Sequence, residues 1–360
     1  MDFRIVYGMK VLILNRRCIK HPEKGGAEVY TMEIAKGLVE KGFQVEWFSS
    51  KPKNLKEKET INGINFIRKG NEITTHLYGF LYALKKDKSW IIIDEFNGIG
   101  FFTFPLKNSI LLIHQLYKEF WTAELGLIGN IFKFIETILL RLYKNKLTIT
   151  VSNSTYQDLI KLGFNNISII ENGLNISPLE RKPEKEKVLT LVYLGRLKKT
   201  KNPEDAIKAY ILVKRRIKNA KMFVIGEGPL LSYLKNKYTD FQDITFTGYL
   251  DASEKYKILE KSHFILIPSI REGWGQVVIE ANVFGTPAIG YNAPGLKDSI
   301  KNGDTGFLVS NYKEMADTIL KVWESKDLYE ELSKNCIEWA KNFSWEKTRQ
   351  KFLNLLKALR

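Results

Sequence analysis

Short apolar runs and amphipathic stretches alternate along this chain, and glycines or charged loops divide them. The first run covers 10–15 (K-V-L-I-L-N), and a loop holding the adjacent Gly25 and Gly26 follows it. Apolar residues then recur at Val29, Met32, Ala35, Leu38 and Val39 until Gly42. That spacing predicts a buried strand, a helix over 27–41 and a second strand over 44–48. Runs at 65–68, 90–94, 109–113, 147–151 and 167–170 predict further strands, with helices over 75–85 and 155–162. The series restarts at 189–194, with runs at 222–225, 244–247, 264–267 and 287–290 and helices over 203–218 and 276–284. Strand, helix, strand repeated in this way is the grammar of a parallel sheet covered by helices, so the fold class is α/β. Residues 178–187, with prolines and alternating charge, read as a linker between two domains, 9–177 and 178–344.

Two stretches depart from this rhythm. Residues 51–59 are rich in lysine and read as a solvated loop. From 117 to 146 apolar residues recur at helical spacing (Ile128, Ile131, Phe132, Ile135, Ile138, Leu139, Leu142), interleaved with Lys133, Arg141, Lys144 and Lys146. Gly126 and Gly129 split this stretch into a short helix and a longer one. Packing into the first domain accounts for most of the pattern, and its aromatic and basic excess also fits a face resting on lipid headgroups.

Composition changes this picture little. Of 360 residues, 44% are hydrophobic and 27% charged, as in a soluble globular protein. Cys18 and Cys336 are too distant in sequence for a metal or disulfide spacing, so a reducing, cytoplasmic compartment is expected. The residues before Met9 lack an apolar core with a cleavage site and read as an extension. No uncharged run approaches the length of a membrane span. Charge matters more: 56 Lys and Arg against 40 Asp and Glu leave a net +16, spread over the whole chain. No nucleic-acid motif accompanies that field, so it points to an anionic substrate and a peripheral contact with an anionic membrane, its inner face, rather than to nucleic acid.

Chemistry concentrates between 268 and 295 (P-S-I-R-E-G-W-G-Q-V-V-I-E-A-N-V-F-G-T-P-A-I-G-Y-N-A-P-G). Glu272 precedes the expected helix and Glu280 lies in its second turn, while Gly273 and Gly275 clear space for a ligand against the backbone. The N–H groups of Gln276 and Val277, at the helix start, would face an anion. Ligands of parallel sheets sit at strand carboxyl ends. Two hydroxyl acceptors beside a phosphate-binding helix start suit a nucleotide sugar.

E-G-W-G-Q-V-V-I-E has an E-x7-E spacing, and the G-T-P that follows completes a stretch that resembles the retaining GT-B glycosyltransferases of family 4. The resemblance runs from Met9 to about Arg360 and is tighter in the second half. It implies two Rossmann-like, doubly wound parallel-sheet domains facing across a cleft, acceptor domain first and donor domain second, with the final helix, 345–360, packing back on the first. In G-R-L-K-K-T-K, it assigns Arg196 and Lys201 to the donor diphosphate, although Lys198 and Lys199 lie between them. It further implies a catalytic-site Glu272 on the transferred sugar, a ribose-binding Glu280, His114 beside the sugar, and Gly226, Glu227, Tyr249 and Leu250 framing the base. The Gly25–Gly26 pair matches a loop that faces donor and acceptor, but Cys18 stands where relatives carry an acid.

The activity so implied is transfer from a UDP- or GDP-type sugar to a hydroxyl of a glycan or lipid-linked acceptor, as in cell-surface polysaccharide biosynthesis. The donor is a substrate, and no resident cofactor is expected. No two aspartates form a D-x-D pair, and His21, His76, His114 and His263 form no ligand motif, so no metal is expected either. A non-catalytic sugar-nucleotide-binding protein and a nucleotide-sugar epimerase remain as alternatives.

Overall fold

The structure, a computed structural model, describes residues 8–177 and 179–359. The expected amino-terminal extension therefore lies, Gly8 excepted, outside the described residues, as do Pro178 of the linker and the terminal Arg360. Among the described residues two compact units emerge: those of 1–118, 130–173 and 344–360 form the first, and those of 119–129 with 174–343 form the second.

The first unit is built on eight strands: β1 (Lys10–Leu14), β2 (Gln44–Ser49), β3 (Lys58–Ile61), β4 (Ile64–Arg68), β5 (Trp90–Glu95), β6 (Ser109–Ile113), β7 (Thr148–Thr150) and β8 (Ile167–Ile169). Their order across the sheet is β3-β4-β2-β1-β5-β6-β7-β8, and every pairing is parallel except β3 with β4. Val11 to Leu14 and Ile110 to Ile113 are buried without alternation, because helices cover both faces. Helix Gly26–Glu40 lies on one face, where helix Trp345–Lys357 joins it. Arg349 ties the two helices by ion pairs to Glu33 and Glu40, and Thr348 Oγ1 donates to the Glu171 carbonyl at 2.9 Å. The rightward crossovers β4 to β5, β6 to β7 and β7 to β8 put helices Thr75–Ala83, Gly129–Leu142 and Asn153–Lys161 on the other face.

The second unit holds six parallel strands: β9 (Thr190–Leu194), β10 (Lys221–Ile225), β11 (Ile244–Gly248), β12 (Phe264–Ile267), β13 (Ala288–Tyr291) and β14 (Gly306–Val309). They are ordered β11-β10-β9-β12-β13-β14. Its core gathers Leu191, Tyr210, Met222, Phe264, Ile289 and Ile319. These sheets and their helices are the α/β architecture expected from the alternating pattern, doubly wound as the resemblance implies.

Three differences from the expectations have physical causes. Residues 58 and 59, the end of the expected 51–59 loop, instead open an edge strand, 58–61, joined to β4 by a two-residue turn in which Asn62 and Gly63 take φ +51° and +74°. That turn is the common Asn-Gly hairpin connection, and its sequence signal was there to be used. The 117–146 stretch divides at Gly126–Gly129 into helices Lys118–Leu125 and Gly129–Leu142, but residues 119–129 group with the second unit. Arg271, 2% exposed, donates to Glu119 at 2.5 Å there, and the Lys198 ammonium sits 5.3 Å over the Phe120 ring. The longer helix meets its unit through Glu136 and Leu140, with Tyr143 just past its end, whereas Ile131, Ile135, Ile138 and Leu142 are exposed, so packing does not explain them.

Each unit also encloses one thiol. Cys18 is fully buried and accepts from Arg68 Nε at 3.2 Å, with Arg68 paired to Glu59 at 2.6 Å. Cys336 is fully buried beside Asn282, and burial pushes its pKa far up.

Candidate active site

Strand order reverses between β9 and β12 in the second sheet, and the loops that leave the two strands there carry the motif residues. Such a switch point splits neighbouring loops apart and leaves a crevice at the strand ends. Gly195 and Arg196 follow β9, and residues 268–275 follow β12. The Ile270 N–H donates to the Thr200 carbonyl at 3.2 Å, which sets the two loops side by side. Lys201 Nζ then reaches Glu272 Oε1 at 2.5 Å, both half-buried, while the Arg196 side chain is exposed. Glu272 is pinned from behind: its N–H donates to the Pro294 carbonyl at 2.9 Å, and a Cβ on Gly295 would stand 2.1 Å from its carbonyl oxygen. Only glycine allows that approach at the φ of +81° found there.

Helix Gln276–Asn282 starts from Gly275, at φ +87°, and its first residues are Gln276 and Val277. Glu280 lies on the same helix, and its Oε2 accepts from Lys255 Nζ at 2.7 Å. Gly226 closes β10 against the neighbouring loop, where a Cβ would stand 2.1 Å from the Gly195 carbonyl. Its N–H donates to Gly248 at the end of β11. Glu227, Tyr249 and Leu250 extend from these two strand ends, Glu227 and Tyr249 exposed to solvent. The structure thus gathers Arg196, Lys201, Glu272 and Gly275 to Val277 around one switch point, with Glu280 one turn along the helix.

Lys198 belongs with them. It is half-buried, and burial, followed by the charges of Arg196 and Lys201, lowers its pKa to about 8. The sequence marks it only as one lysine among three; its ammonium sits over the ring of Phe120, a neighbour too distant in sequence for any spacing rule to specify. Lys255 was equally out of reach, being 25 residues from Glu280. A separate hollow in this unit, lined by Lys185, His263, Trp323 and Tyr329, shares no residue with the cluster.

In the first unit the strand order reverses between β1 and β5, and a second cluster lies there. Glu95, at the end of β5, is 1% exposed and accepts from Asn15 Nδ2 at 2.7 Å and Thr31 Oγ1 at 2.6 Å. Burial raises its pKa, against the opposing effect of His114. His114, just past β6, has Nε2 3.8 Å from Glu95 Oε2 and its ring edge-on to Tyr30 at 5.1 Å. That buried nitrogen has no hydrogen-bond partner among the described residues. Gly25 caps helix Gly26–Glu40, donating to Glu28 Oε2 at 2.5 Å, and a Cβ on Gly26 would meet nothing within 4 Å. No internal contact therefore requires a bare Gly26. Asp94, beside Glu95, instead holds structure: it accepts from Phe101 N–H, Thr103 Oγ1 and Tyr143 Oη at 2.7–2.9 Å.

Comparison with known proteins agrees with this fold. Residues 24–177 match the family described as Glycosyltransferase Family 4, and residues 177–341 match Glycosyl transferases group 1. The glycogen synthase of Mycobacterium tuberculosis is 27% identical over 224 residues, covering 60% of this chain and 54% of that protein, so the match spans about half of that relative's length. The capsular polysaccharide biosynthesis glycosyltransferase CapM of Staphylococcus aureus is 27% identical over 68% of each chain. Among solved structures, Anabaena HepE in complex with UDP and glucose superposes with a TM-score of 0.71 at 15% identity, covering 97% of this chain and 100% of that one. Matched in turn by these two models from residue 24 to 341, with two doubly wound parallel sheets, the chain carries a Glycosyltransferase Family 4 domain followed by a group 1 glycosyl transferase domain and has the GT-B fold.

Proposed function

We propose that the chain transfers a sugar from a nucleotide-diphosphate sugar, of UDP or GDP type, to a hydroxyl of a glycan or lipid-linked acceptor. The observation that carries this reading is the Lys201–Glu272 pair, set beside Arg196 and Lys198 at the switch point of the second sheet. A phosphate there would meet three cations and the N–H groups of Gln276 and Val277. Charge growing on the leaving diphosphate is thereby stabilised without reorganisation of the site. Binding also frees Lys201 from Glu272, so that the carboxylate accepts from hydroxyls of the transferred sugar. Glu280 accepts from the ribose, with Lys255 holding it in place. Gly226, Glu227, Tyr249 and Leu250 frame the base. His114 offers its unsatisfied ring nitrogen to a sugar hydroxyl, and the open Gly25–Gly26 loop leaves room for ligand.

In this reading configuration is retained, the donor is a substrate rather than a resident cofactor, and no divalent metal is needed. The names of the relatives, a glycogen synthase and a capsular polysaccharide transferase, support a glycan acceptor. A lipid-linked or cell-surface precursor, met at an anionic membrane, fits the net charge of +16. The test is a panel of UDP- and GDP-sugars incubated with the full chain, with nucleoside diphosphate release and the anomer of the product followed by NMR. Release that continues in excess EDTA, and falls far more in Arg196→Ala with Lys201→Ala, is expected. Loss of release in EDTA, restored by magnesium or manganese, would show that a metal rather than these side chains carries the leaving group.

A further inference from the structure

We infer that the helical face of the first unit formed by Thr75–Ala83 and Gly129–Leu142 is the surface that docks on an anionic lipid bilayer. The inference rests on the proposed transfer to a lipid-linked acceptor and names the surface that delivers the enzyme to it. Helix Gly129–Leu142 carries two distinct faces. Glu136, Leu140 and Tyr143 are buried and anchor it, whereas Ile131, Phe134, Ile135, Ile138 and Leu142 form an outward stripe, 41–65% exposed. Their spacing of three, four, seven and eleven residues keeps all five on one side. Helix Thr75–Ala83 repeats the arrangement: Thr75, His76, Gly79 and Ala83 are buried, and Leu77 and Leu81, with Ile73 before the helix and Leu84 after it, are 46–82% exposed.

Both helices lie on the same side of the first sheet, because both belong to right-handed crossovers running in one direction across it. A shared loop supports them. Phe101 packs against His76 at 4.7 Å and beneath Gly79, while its N–H donates to Asp94, which also accepts from Tyr143 Oη at 2.7 Å. Exposed apolar side chains on this scale need a cover.

Charge identifies the cover. The exposed ionic positions of helix Gly129–Leu142 are Lys133 and Arg141, and Lys144 follows them. The helix's one acid, Glu136, is buried and accepts from the Tyr117 and Lys118 N–H groups at 2.7 and 3.0 Å. Beyond helix Thr75–Ala83 stand exposed Lys85 and Lys88, with Asp87 between them. A second copy of the chain would bring its own +16 against this face, whereas an anionic bilayer offers the opposite charge and an apolar interior. No described helix is long and apolar enough to cross a membrane, so the contact is one of lying on the surface.

The test is co-sedimentation of the full chain with vesicles of phosphatidylcholine alone and of phosphatidylcholine mixed with phosphatidylglycerol. Binding to the mixed vesicles, weakened by salt, is expected. A variant carrying Ile131→Ser, Phe134→Ser and Ile138→Ser should bind roughly tenfold or more weakly. Its melting temperature and its lipid-free release of nucleoside diphosphate should be unchanged, since all three side chains face solvent. Lys133→Glu with Arg141→Glu should weaken binding to the mixed vesicles as well. Absence of wild-type binding at low salt overturns the assignment, as does full binding by the triple variant. So does a wild-type dimer in sedimentation velocity that the same variant dissolves. Vesicle binding without release from any nucleotide sugar would support the docking surface and sink the transfer reading.

Discussion

Replacing Gly295 with alanine tests whether the loop after β13 holds Glu272 in place. Gly295 has φ +81° and ψ −41°, outside the left-handed helical region and sparsely populated by L-residues, a conformation that costs about 1–3 kcal/mol. Its new Cβ would stand 2.1 Å from the Glu272 carbonyl oxygen and 2.5 Å from the carbonyl carbon. The obstacle is backbone, so no change of rotamer relieves it. Overpacking of this kind costs a further ~1–3 kcal/mol, bringing the whole to about 2–6 kcal/mol. A domain of this size should then melt roughly 5–15 °C lower. Ordinary contact is restored only if one loop moves by more than an ångström, which breaks the N–H bond to Pro294 and pulls Glu272 from Lys201. Displacement on that scale costs about a hundredfold in kcat/KM. Gly303→Ala is the control: φ there is +82°, but nothing lies within 4 Å of the new Cβ. It should lose only the conformational cost of about 1–2 kcal/mol and leave turnover alone. Thermal unfolding and nucleoside diphosphate release measure both quantities. If Gly295→Ala matched Gly303→Ala in melting temperature and release, Glu272 would not be held by this loop.

Three further outcomes are expected. Gly26→Ala should leave the melting temperature unchanged or slightly raised, because its Cβ meets open space at a helix start, yet turnover should fall; undiminished turnover removes the glycine loop from the site. Lys198, with its pKa near 8, should take up a proton as a diphosphate binds. Calorimetric affinity for a nucleoside diphosphate should thus fall about tenfold from pH 7 to pH 9.5, and Lys198→Gln should flatten that profile; a flat wild-type profile would place Lys198 away from the phosphates. Glu280→Ala should weaken the same affinity by roughly 1–3 kcal/mol through the ribose, and unchanged affinity in a folded variant would take Glu280 out of the nucleotide site.

The fold was legible because buried parallel strands leave unalternating runs such as Val11 to Leu14 and Phe264 to Ile267. Glu272, Glu280, Arg196 and Lys201 were legible as motif residues because all four lie on or beside loops that local spacing fixes. What local spacing cannot fix was left open or missed. Ile131, Ile135 and Ile138 recur as core residues do, and periodicity does not distinguish a face turned to the core from one turned outward. Asn15, Thr31 and Glu95 lie up to 80 residues apart and meet only because β1 and β5 are neighbours in the sheet. Cys18 stood out as a departure from the family's acid, but its neighbour Arg68 comes from β4 and could not be read from the loop itself.

The two enclosed thiols provide a clock for each half of the molecule. Cys18 belongs to the first unit and Cys336 to the second, and both are fully buried in the folded protein. An aromatic disulfide reagent reaches either one only when its surroundings open, so the labelling rate reports how often that happens. Mass spectrometry of the two tagged peptides would time the openings separately from a single sample. A nucleotide that slowed labelling at Cys336 while leaving Cys18 unaffected would be tightening the second unit alone.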